Sequence, residues 1–597
     1  MFEPAVQITL VVVAAVGSGW LADRMRIPAI LPLLAVGILL GPVGGVLDPD
    51  GLVGTELLIP LVGLAVGVIL FEGGLSLRIA EIEGSQRVIW RLVTVGAAVT
   101  WITATAAARL LLDIGLGAAV VLGSILVVSG PTVVGPVLRT VRPSRKVGSI
   151  LKWESIFIDP VGAMLAVIAF DVVVAGAARP SLGSLVAEVA AFTAIGIGVG
   201  GILSVVAIFA LRRHWVPEHL ISLFGLALAL VAYALSNEVV HESGLLATTV
   251  LGLVLANHRR IKTESLVRFS EVLRVLLIGV LFIVLSARLS RDQLASIGWG
   301  AVGLVLVLVL VARPLSVWAS TIGSDFTARQ RVLIAGVAPR GIVAASIASV
   351  FGLELEEAGV AGAELLTPVV FAVIIATVLI YGLGAGPLAR ALGLARKGQE
   401  GVLVLGAGTV ERALGQALSD AGVEVVLATI NRNDERGARM AGLRTYYGNI
   451  LDEDVDLRLE MSGIGRLMAL TPNDEVNALA SRRFSDLFGG GEVYQLSAMP
   501  PPPGVEGTVV DLGGRQLFGE SVNYPALRKA ITEGSIRRTA ISEKFDSRAF
   551  SDRHGDDAVP LLAVRDGRLL VSVVDSPTSL LDRLQPGDQL LWLPIGD

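Results

Sequence analysis

Apolar runs long enough to cross a lipid bilayer follow one another along the first two thirds of the chain, with short polar stretches between them. From about residue 400 onward, charged and polar residues return at the density usual for a water-soluble domain. A membrane-spanning helix needs about 20 mainly apolar residues. The pattern predicts a polytopic α-helical membrane domain over 1–395, with thirteen spans at 5–22, 29–41, 56–76, 88–112, 117–138, 148–171, 185–211, 218–236, 243–257, 272–289, 296–319, 330–351 and 364–389.

The loops between these spans predict the orientation. Lys and Arg concentrate in the odd-numbered loops, whereas the even-numbered loops hold only Arg179, Arg288 and Arg291. Cytoplasmic loops are enriched in Lys and Arg. We therefore expect a multi-pass protein of the cell (plasma or inner) membrane, with its N-terminus outside and its C-terminal domain in the cytosol. The first apolar run follows no basic segment, so we interpret it as a retained helix and not as a cleaved signal.

Composition excludes several other classes of protein. The chain is 53% hydrophobic and 17% charged, whereas about a quarter of the residues in a soluble protein are charged. The net charge of −5 is too small to indicate a nucleic-acid partner. Without cysteine, the chain has neither disulfides nor thiolate metal sites.

Two of the predicted spans are interrupted in the middle. The fifth contains Gly130 and Pro131, and the twelfth contains Pro339 and Gly341 on either side of Arg340. A proline inside a helix removes a backbone hydrogen bond, and broken helices in corresponding positions of two halves are typical of the substrate site of inverted-repeat transporters. The alternative is a pair of ordinary proline kinks.

Ionisable residues inside spans are candidates for function. Asp159 lies one helical turn after Ser155, so both side chains project from one face. A carboxylate and a hydroxyl are suitable ligands for an alkali cation, and Ser129 with the carbonyls freed at the first break completes a candidate site. The same carboxylate can hold a proton, so cation and proton would compete for Asp159. The alternative is a helix-end carboxylate that faces a wet vestibule.

Two further acidic residues have predicted roles. A buried arginine needs a carboxylate, and we expect Glu154 to pair with Arg340 as a structural link between the sixth and twelfth spans. Glu72, near the end of the third span, is either a third ligand of the site or an interfacial glutamate.

Four segments in order, FEGGL (71–75), SGPTVVGPVLR (129–139), WESIFIDPVGA (153–163) and APRGIVA (338–344), resemble the cation:proton antiporter superfamily, and within it the NhaP/NHE-like sodium/proton branch. The resemblance implies thirteen helices in two inverted repeats, crossed and unwound fifth and twelfth helices, and a homodimer with an elevator-like core. It also implies that Asp159 is the essential ion-binding aspartate and Ser155 its neighbouring ligand. By the same resemblance, Glu154 and Arg340 form an ion pair between helices.

The chain departs from that family at two places. Ser129-Gly130-Pro131 stands where the family often has Thr-Asp-Pro, and Ile158-Asp159 stands where it usually has Asn-Asp. Electrogenic relatives carry two acidic residues at the second place. With a single acid, we expect one proton to be exchanged per cation without net charge movement. The loss of the Thr-Asp side chains leaves Na⁺ and K⁺ both open.

The tail begins with a strand, a glycine turn and a helix, a pattern that places backbone N–H groups where a phosphate can bind. Together with GNILDEDV and ALTPNDEVNALAS it resembles the Rossmann-like RCK (TrkA-N) domain, at 400–530. The final stretch, which includes VPLLAVRDGRLLVSVVD, resembles the smaller β-rich TrkA-C module, at 535–597. The third glycine of the fingerprint is replaced by Glu411, and Thr429 stands where an acidic residue would bind ribose. The sequence leaves the regulatory ligand open: it is NAD(H), ATP/ADP, AMP or a cyclic dinucleotide, or there is none. The candidate nucleotide-binding residues are Gly406, Gly408, Thr409, Thr429 and Asn431.

These observations predict an electroneutral cation/proton antiporter, with Na⁺ expected before K⁺, that is regulated by its tail and is not an enzyme. The alternative is a Kef-like, ligand-gated potassium efflux system or a channel-like cation pathway. A potassium channel requires a TVGYG-type filter, and the sequence contains none.

Overall fold

The protein is described by a computed structural model. It describes residues 3–594 except 26, 83, 142, 176–180, 259–260, 262, 296, 395–399, 453–454, 456–462, 500–512, 520–521 and 556–557. Arg179 therefore lies outside the described residues. The chain divides into two compact units, Met1–Ala395 and Arg396–Asp597.

The first unit is helical. Among its described residues, nine helices are long and apolar enough to cross a membrane, and three apolar helices are shorter. In chain order the helices are α1 (Pro4–Met25), α2 (Ile30–Val43), α3 (Pro49–Val53), α4 (Thr55–Leu75), α5 (Gln86–Leu111), α6 (Leu116–Ile125), α7 (Pro131–Val141), α8 (Arg145–Ala175), α9 (Leu182–Arg212), α10 (Ile221–Val239), α11 (Ser243–Ala256), α12 (Glu264–Ala287), α13 (Arg291–Ala295), α14 (Trp299–Ser320), α15 (Ala328–Ala335), α16 (Ile342–Glu357) and α17 (Leu366–Ala391).

Helices cover each of the thirteen predicted spans, and the fifth and twelfth spans are each divided into two half-helices. Long helix α8 lies against α6, α7 and α16, so it contacts half-helices from both divided spans. Small residues permit these close contacts; Gly162 of α8, for example, lies against Val128 between the two halves of the fifth span. The main apolar core of the unit includes residues from α6, α7, α8 and α16.

The second unit contains two sheets. The strands of the first sheet are all parallel and lie in the order β3-β2-β1-β4-β5-β6, which is the arrangement of a nucleotide-binding Rossmann fold. These strands are β1 (Gly401–Leu405), β2 (Val425–Thr429), β3 (Arg444–Tyr447), β4 (Ile464–Ala469), β5 (Val493–Gln495) and β6 (Arg515–Gln516). The helices beside them are α18 (Thr409–Asp420), α19 (Arg432–Met440), α20 (Asp474–Phe488) and α21 (Tyr524–Glu533).

The second sheet is antiparallel, in the order β7-β10-β8-β9. Its strands fall within the sequence range predicted for the C-terminal module, 535–597. Its strands are β7 (Arg537–Ala540), β8 (Ala558–Arg565), β9 (Arg568–Val571) and β10 (Gln589–Pro594), with helix α22 (Ser547–His554) after β7. An ion pair links the end of β8 to the start of β10. Arg565 donates two hydrogen bonds of 2.8 Å to the buried carboxylate of Asp588, from Nε to Oδ1 and from Nη2 to Oδ2.

Candidate cation-binding site

The two divided helices leave backbone carbonyl groups without helical partners inside the first unit. The chain is not helical between α6 and α7, over 126–130, or between α15 and α16, over 336–341. Pro131 begins α7, where its missing N–H group costs nothing, because the first N–H groups of a helix have no intrahelical partner. Pro339 lies within the second non-helical segment.

The two non-helical segments touch each other through glycine backbone. A Cβ atom built on Gly130 would lie 2.6 Å from the Cα atom of Gly341, and one built on Gly341 would lie 2.4 Å from the Cα atom of Gly130. Neither position has room for a methyl group. Gly130 and Gly341, which sequence analysis marked only as helix breakers, therefore also set the distance between the two segments.

Arg340 binds the backbone of the first break. Its guanidinium Nη1 donates hydrogen bonds to the carbonyl oxygens of Val127, at 3.0 Å, and Val128, at 3.1 Å. Its own backbone N–H donates to the Thr377 hydroxyl at 3.2 Å. The carbonyl end of a helix carries partial negative charge, so this buried arginine compensates the end of α6.

Glu154 pairs with a different arginine. Arg313 of α14 donates two hydrogen bonds to the Glu154 carboxylate, from Nη1 to Oε1 and from Nη2 to Oε2, the second at 3.0 Å. Both side chains are buried. The predicted ion pair between Glu154 and Arg340 is therefore wrong, because the guanidinium of Arg340 is directed to the carbonyl groups of Val127 and Val128 instead.

Arg313 has a second role that mirrors that of Arg340. Its Nη2 also donates to the carbonyl oxygens of Ile334, at 3.1 Å, in the last turn of α15, and of Val337, at 3.3 Å, just after that helix. Each half-helix that ends at a break is thus compensated by one buried arginine. Sequence analysis missed Arg313, although it is an ionisable residue inside the predicted span 296–319, the same signal that singled out Arg340.

Asp159 differs from Glu154, because no arginine binds its Oδ1 atom among the described residues. Its side chain is 1% exposed, and its Oδ1 atom has no hydrogen-bond partner among the residues that the structure describes. Ser155 and Gly162 lie on the same face of α8, one turn before and one turn after it. Because Gly162 packs against Val128, this face of α8 is directed to the first break. Ser155 is also buried, and its hydroxyl donates to the carbonyl of Lys152 at 3.0 Å.

Two hydroxyl groups lie in or beside the first break. Ser129 is buried and lines a narrow cleft together with Glu154, Arg313 and Arg340. Thr132, in the first turn of α7, is buried too, and its Oγ1 has no hydrogen-bond partner within the described part of the chain. Sequence analysis did not single out Thr132; a hydroxyl directly after the Gly-Pro break is the signal that could have found it.

Glu72 is buried in α4 and forms an ion pair with Arg274 of α12, with 3.2 Å between Oε2 and Nε. Its charge is therefore compensated in this structure by a helix outside the two breaks. A role for Glu72 as a cation ligand stays a prediction.

The candidate nucleotide residues of the second unit lie at the carboxyl ends of β1 and β2, which are adjacent parallel strands. Gly406 follows β1 with a φ of +108°, a conformation that favours glycine, and Gly408 directly precedes α18. The Thr429 hydroxyl accepts a hydrogen bond from the Asn431 N–H group, at 3.1 Å, and the Asn431 side chain caps α19. Thr409 is exposed at the start of α18.

Comparison with known proteins identifies both units. Residues 10–391 match the family profile described as the transmembrane sodium/hydrogen exchanger, which is more than half of the chain. The protein belongs to the sodium/hydrogen exchanger family. This confirms the predicted resemblance and makes the first unit an exchanger domain. A second profile, the TrkA-N domain, matches residues 402–495, so strands β1 to β5 with the glycine turn form a TrkA-N domain.

The exchanger domain is similar to several named transporters. It is 30% identical over 375 residues to the K(+)/H(+) antiporter NhaP2 of Shewanella sp. (strain ANA-3), which covers 62% of this chain and 63% of that protein. It is 26% identical over 404 residues to the K(+)/H(+) antiporter NhaP of Alkalimonas amylolytica, covering 65% and 68%. The chain thus matches somewhat less than two thirds of the length of NhaP2.

Among solved structures, the sodium proton antiporter MjNhaP1 of Methanocaldococcus jannaschii at pH 8 has the same fold as the exchanger domain. The TM-score is 0.58 at 22% sequence identity, and the match covers 66% of this chain and 99% of that one.

Proposed function

We propose that this exchanger moves a monovalent cation and a proton in opposite directions, and that the two compete for the carboxylate of Asp159. The observation that carries the proposal is the buried Oδ1 of Asp159, which has no protein partner among the described residues. An ionised carboxylate inside a protein costs several kcal/mol unless another charge compensates it. A bound cation or a bound proton supplies that compensation.

The oxygen atoms near Asp159 suit an alkali cation. Ser155 lies on the same face of α8, and Ser129, Thr132 and the backbone of the first break lie in the segment that this face meets. Alkali cations bind hard oxygen ligands such as carboxylate, hydroxyl and carbonyl groups. The Thr132 hydroxyl has no hydrogen-bond partner among the described residues, and we include it with Asp159, Ser155 and Ser129 in the proposed site.

The charges around the breaks favour exchange without net charge movement. Glu154 cancels the charge of Arg313, and Arg340 compensates backbone carbonyls. Asp159 then receives one positive charge whether it holds a proton or a monovalent cation. Since the two loaded forms carry the same charge, a complete cycle moves one cation against one proton. Three more features belong to the proposal. The first unit has thirteen spans in inverted repeats, the protein is a homodimer, and it lies in the cell membrane with its tail in the cytosol.

The relatives change the expected cation. Two of the transporters named above carry K⁺/H⁺ in their names, whereas a more distant one is the Na(+)/H(+) antiporter 1 of Methanocaldococcus jannaschii, 23% identical over 347 residues. Sequence analysis placed Na⁺ before K⁺; we now expect K⁺ first. The TrkA-N domain is proposed to regulate this exchange.

Transport in proteoliposomes tests the proposal. We expect an imposed pH gradient to dissipate when K⁺ is added, more weakly with Na⁺ or Li⁺, and a voltage-sensitive dye to record no potential. Vesicles with the Asp159→Asn variant are the matched control and should keep their gradient. Cation flux without proton flux would contradict the antiporter and support the channel-like alternative.

A further inference from the structure

A carboxylate lies in the glycine turn of the TrkA-N domain. Glu411, in the first turn of α18, folds back over the turn and is 1% exposed. A Cβ atom built on Gly406 would lie 2.6 Å from Oε1 of Glu411, and one built on Gly408 would lie 2.8 Å from Oε2. The two carboxylate oxygens therefore lie against the first two glycines of the fingerprint, of which the first makes the tight turn and the second lets the backbone approach a pyrophosphate.

This position attracts negative charge. The N-terminus of a helix presents free N–H groups and partial positive charge, which is why it binds phosphate. The N–H groups of Gly408 and of Glu411 itself stabilise the charged carboxylate. Even so, Oε2 has no hydrogen-bond partner among the described residues. A buried acceptor aimed into the turn thus fills the position of the anion without satisfying all of its own hydrogen bonds.

We propose that the Glu411 carboxylate occupies the phosphate position of the TrkA-N domain, so that a phosphate-bearing nucleotide binds at this turn only when the carboxylate is displaced. A negatively charged phosphate and a charged carboxylate cannot share the space between Gly406 and Gly408. A glycine at the third position of the fingerprint has no side chain that could enter this space, whereas the side chain of Glu411 reaches both Gly406 and Gly408.

The charged and titratable groups around Glu411 come from three elements. Asp434 of α19 and Tyr524 of α21 face it, and Arg412 follows it on α18, donating to the carbonyl oxygen of Ala407 at 3.0 Å. Arg528 of α21 acts on Tyr524. Burial raises the pKa of Glu411 to about 7, and Asp434 adds to this, while Arg412 and the two backbone N–H groups oppose it.

Nucleotide binding should therefore depend on pH. A neutral Glu411 is held less firmly by the helix N-terminus and does not repel a phosphate. With a pKa of about 7, the neutral fraction falls about tenfold between pH 6 and pH 8, and the affinity for a nucleotide falls with it. Tyr524 closes one side of the same space, since its hydroxyl lies 3.6 Å from a Cβ atom built on Gly408.

Binding of ADP and of NAD⁺ to the full chain in detergent, measured by calorimetry at pH 6 and pH 8, tests the proposal. Glu411→Ala removes the carboxylate. The matched control is Glu475→Ala, which removes an exposed acid from the first turn of α20. The ratio of variant to wild-type affinity is the readout, because it cancels the titration of ADP itself.

We expect the Glu411→Ala variant to bind at least one of the two probes at both pH values. Its affinity advantage over the wild type should be about tenfold larger at pH 8 than at pH 6. The Glu475→Ala variant should behave as the wild type. Equal affinities of wild type and Glu411→Ala at pH 8 would overturn the proposal. A folded Glu411→Ala variant that binds neither probe would overturn it as well. No transport is measured, so the result is independent of the proposed exchange.

Discussion

Two carboxylates on helix α8 lie five residues apart and are buried to nearly the same degree, 4% exposed for Glu154 and 1% for Asp159. Glu154 accepts two hydrogen bonds from Arg313, whereas Oδ1 of Asp159 has no partner among the described residues. Burial alone therefore does not distinguish a structural acid from one that we propose binds the transported ions. The partner does: a paired acid fixes two helices together, and an unpaired acid is available to an ion from solution.

Replacement of Asp159 should have the largest effect on transport. Asp159→Asn keeps the size of the side chain and removes the carboxylate that we propose binds both ions, so we expect exchange to fall to the level of empty vesicles. Folding should be unchanged, because no partner among the described residues loses a hydrogen bond at Oδ1. Transport assays and the thermal melting temperature in detergent check the two halves of this prediction. Exchange at the wild-type rate would rule out a single shared site.

Replacement of Glu154, in contrast, should lower the stability of the protein. Glu154→Gln leaves the buried guanidinium of Arg313 without its counter-charge, and breaking a buried pair in this way costs about 3–5 kcal/mol. We expect a clearly lower melting temperature and a lower yield of folded protein.

The double variant Glu154→Gln/Arg313→Gln is the control for the pair. It should recover part of the stability lost by either single change, since neither charge is then left alone. A melting temperature for Glu154→Gln equal to that of the wild type would show that the ion pair is not structural.

Glu411 is a third buried carboxylate and is intermediate between the other two. Backbone N–H groups stabilise its charge, but its Oε2 atom has no hydrogen-bond partner among the described residues. Its pKa is about 7 in the folded chain against an ordinary value of 4.5, so the native state binds the proton more tightly than the unfolded one. The stability of this region should therefore fall as pH rises from 4.5 through 7, by on the order of 3 kcal/mol at most.

The variant Glu411→Gln should not show this loss. Hydrogen exchange in α18 should be slower in Glu411→Gln than in the wild type at pH 8, with a smaller difference at pH 6. The same difference at both pH values would mean that Glu411 does not titrate in this range.

The smallest expected effect concerns the glycine contact between the two breaks. Gly130→Ala would place a methyl group 2.6 Å from the Cα atom of Gly341, and overpacking of this kind typically costs about 1–3 kcal/mol. Gly135→Ala, in the half-helix α7 that follows this segment, meets no atom within 4 Å and is the matched control. We expect a lower melting temperature for the first variant only; equal temperatures would argue against the contact.

The sequence predicted features that depend on local chemistry. Pro131 and Pro339 lie where helices cannot continue, and the spacing of Ser155 and Asp159 places them on one face of a helix whatever surrounds it. The partner of Glu154 could not be predicted in this way, because it depends on where α14 lies in three dimensions. Arg313 was overlooked although its position inside a span was visible. At Glu411 the sequence revealed a missing glycine, but not the direction of the side chain that replaced it.

The contact between Gly130 and Gly341 limits how ion preference can be altered, in evolution or in the laboratory. Since backbone meets backbone there, no choice of side chain at either position can widen or narrow the crossing, and a change at one position alone meets a clash. At the proposed site, we expect variation in selectivity to come instead from the neighbouring hydroxyl groups of Ser129, Thr132 and Ser155. A library that aims to convert a potassium exchanger into a sodium exchanger should therefore randomise these three positions and leave the two glycines untouched.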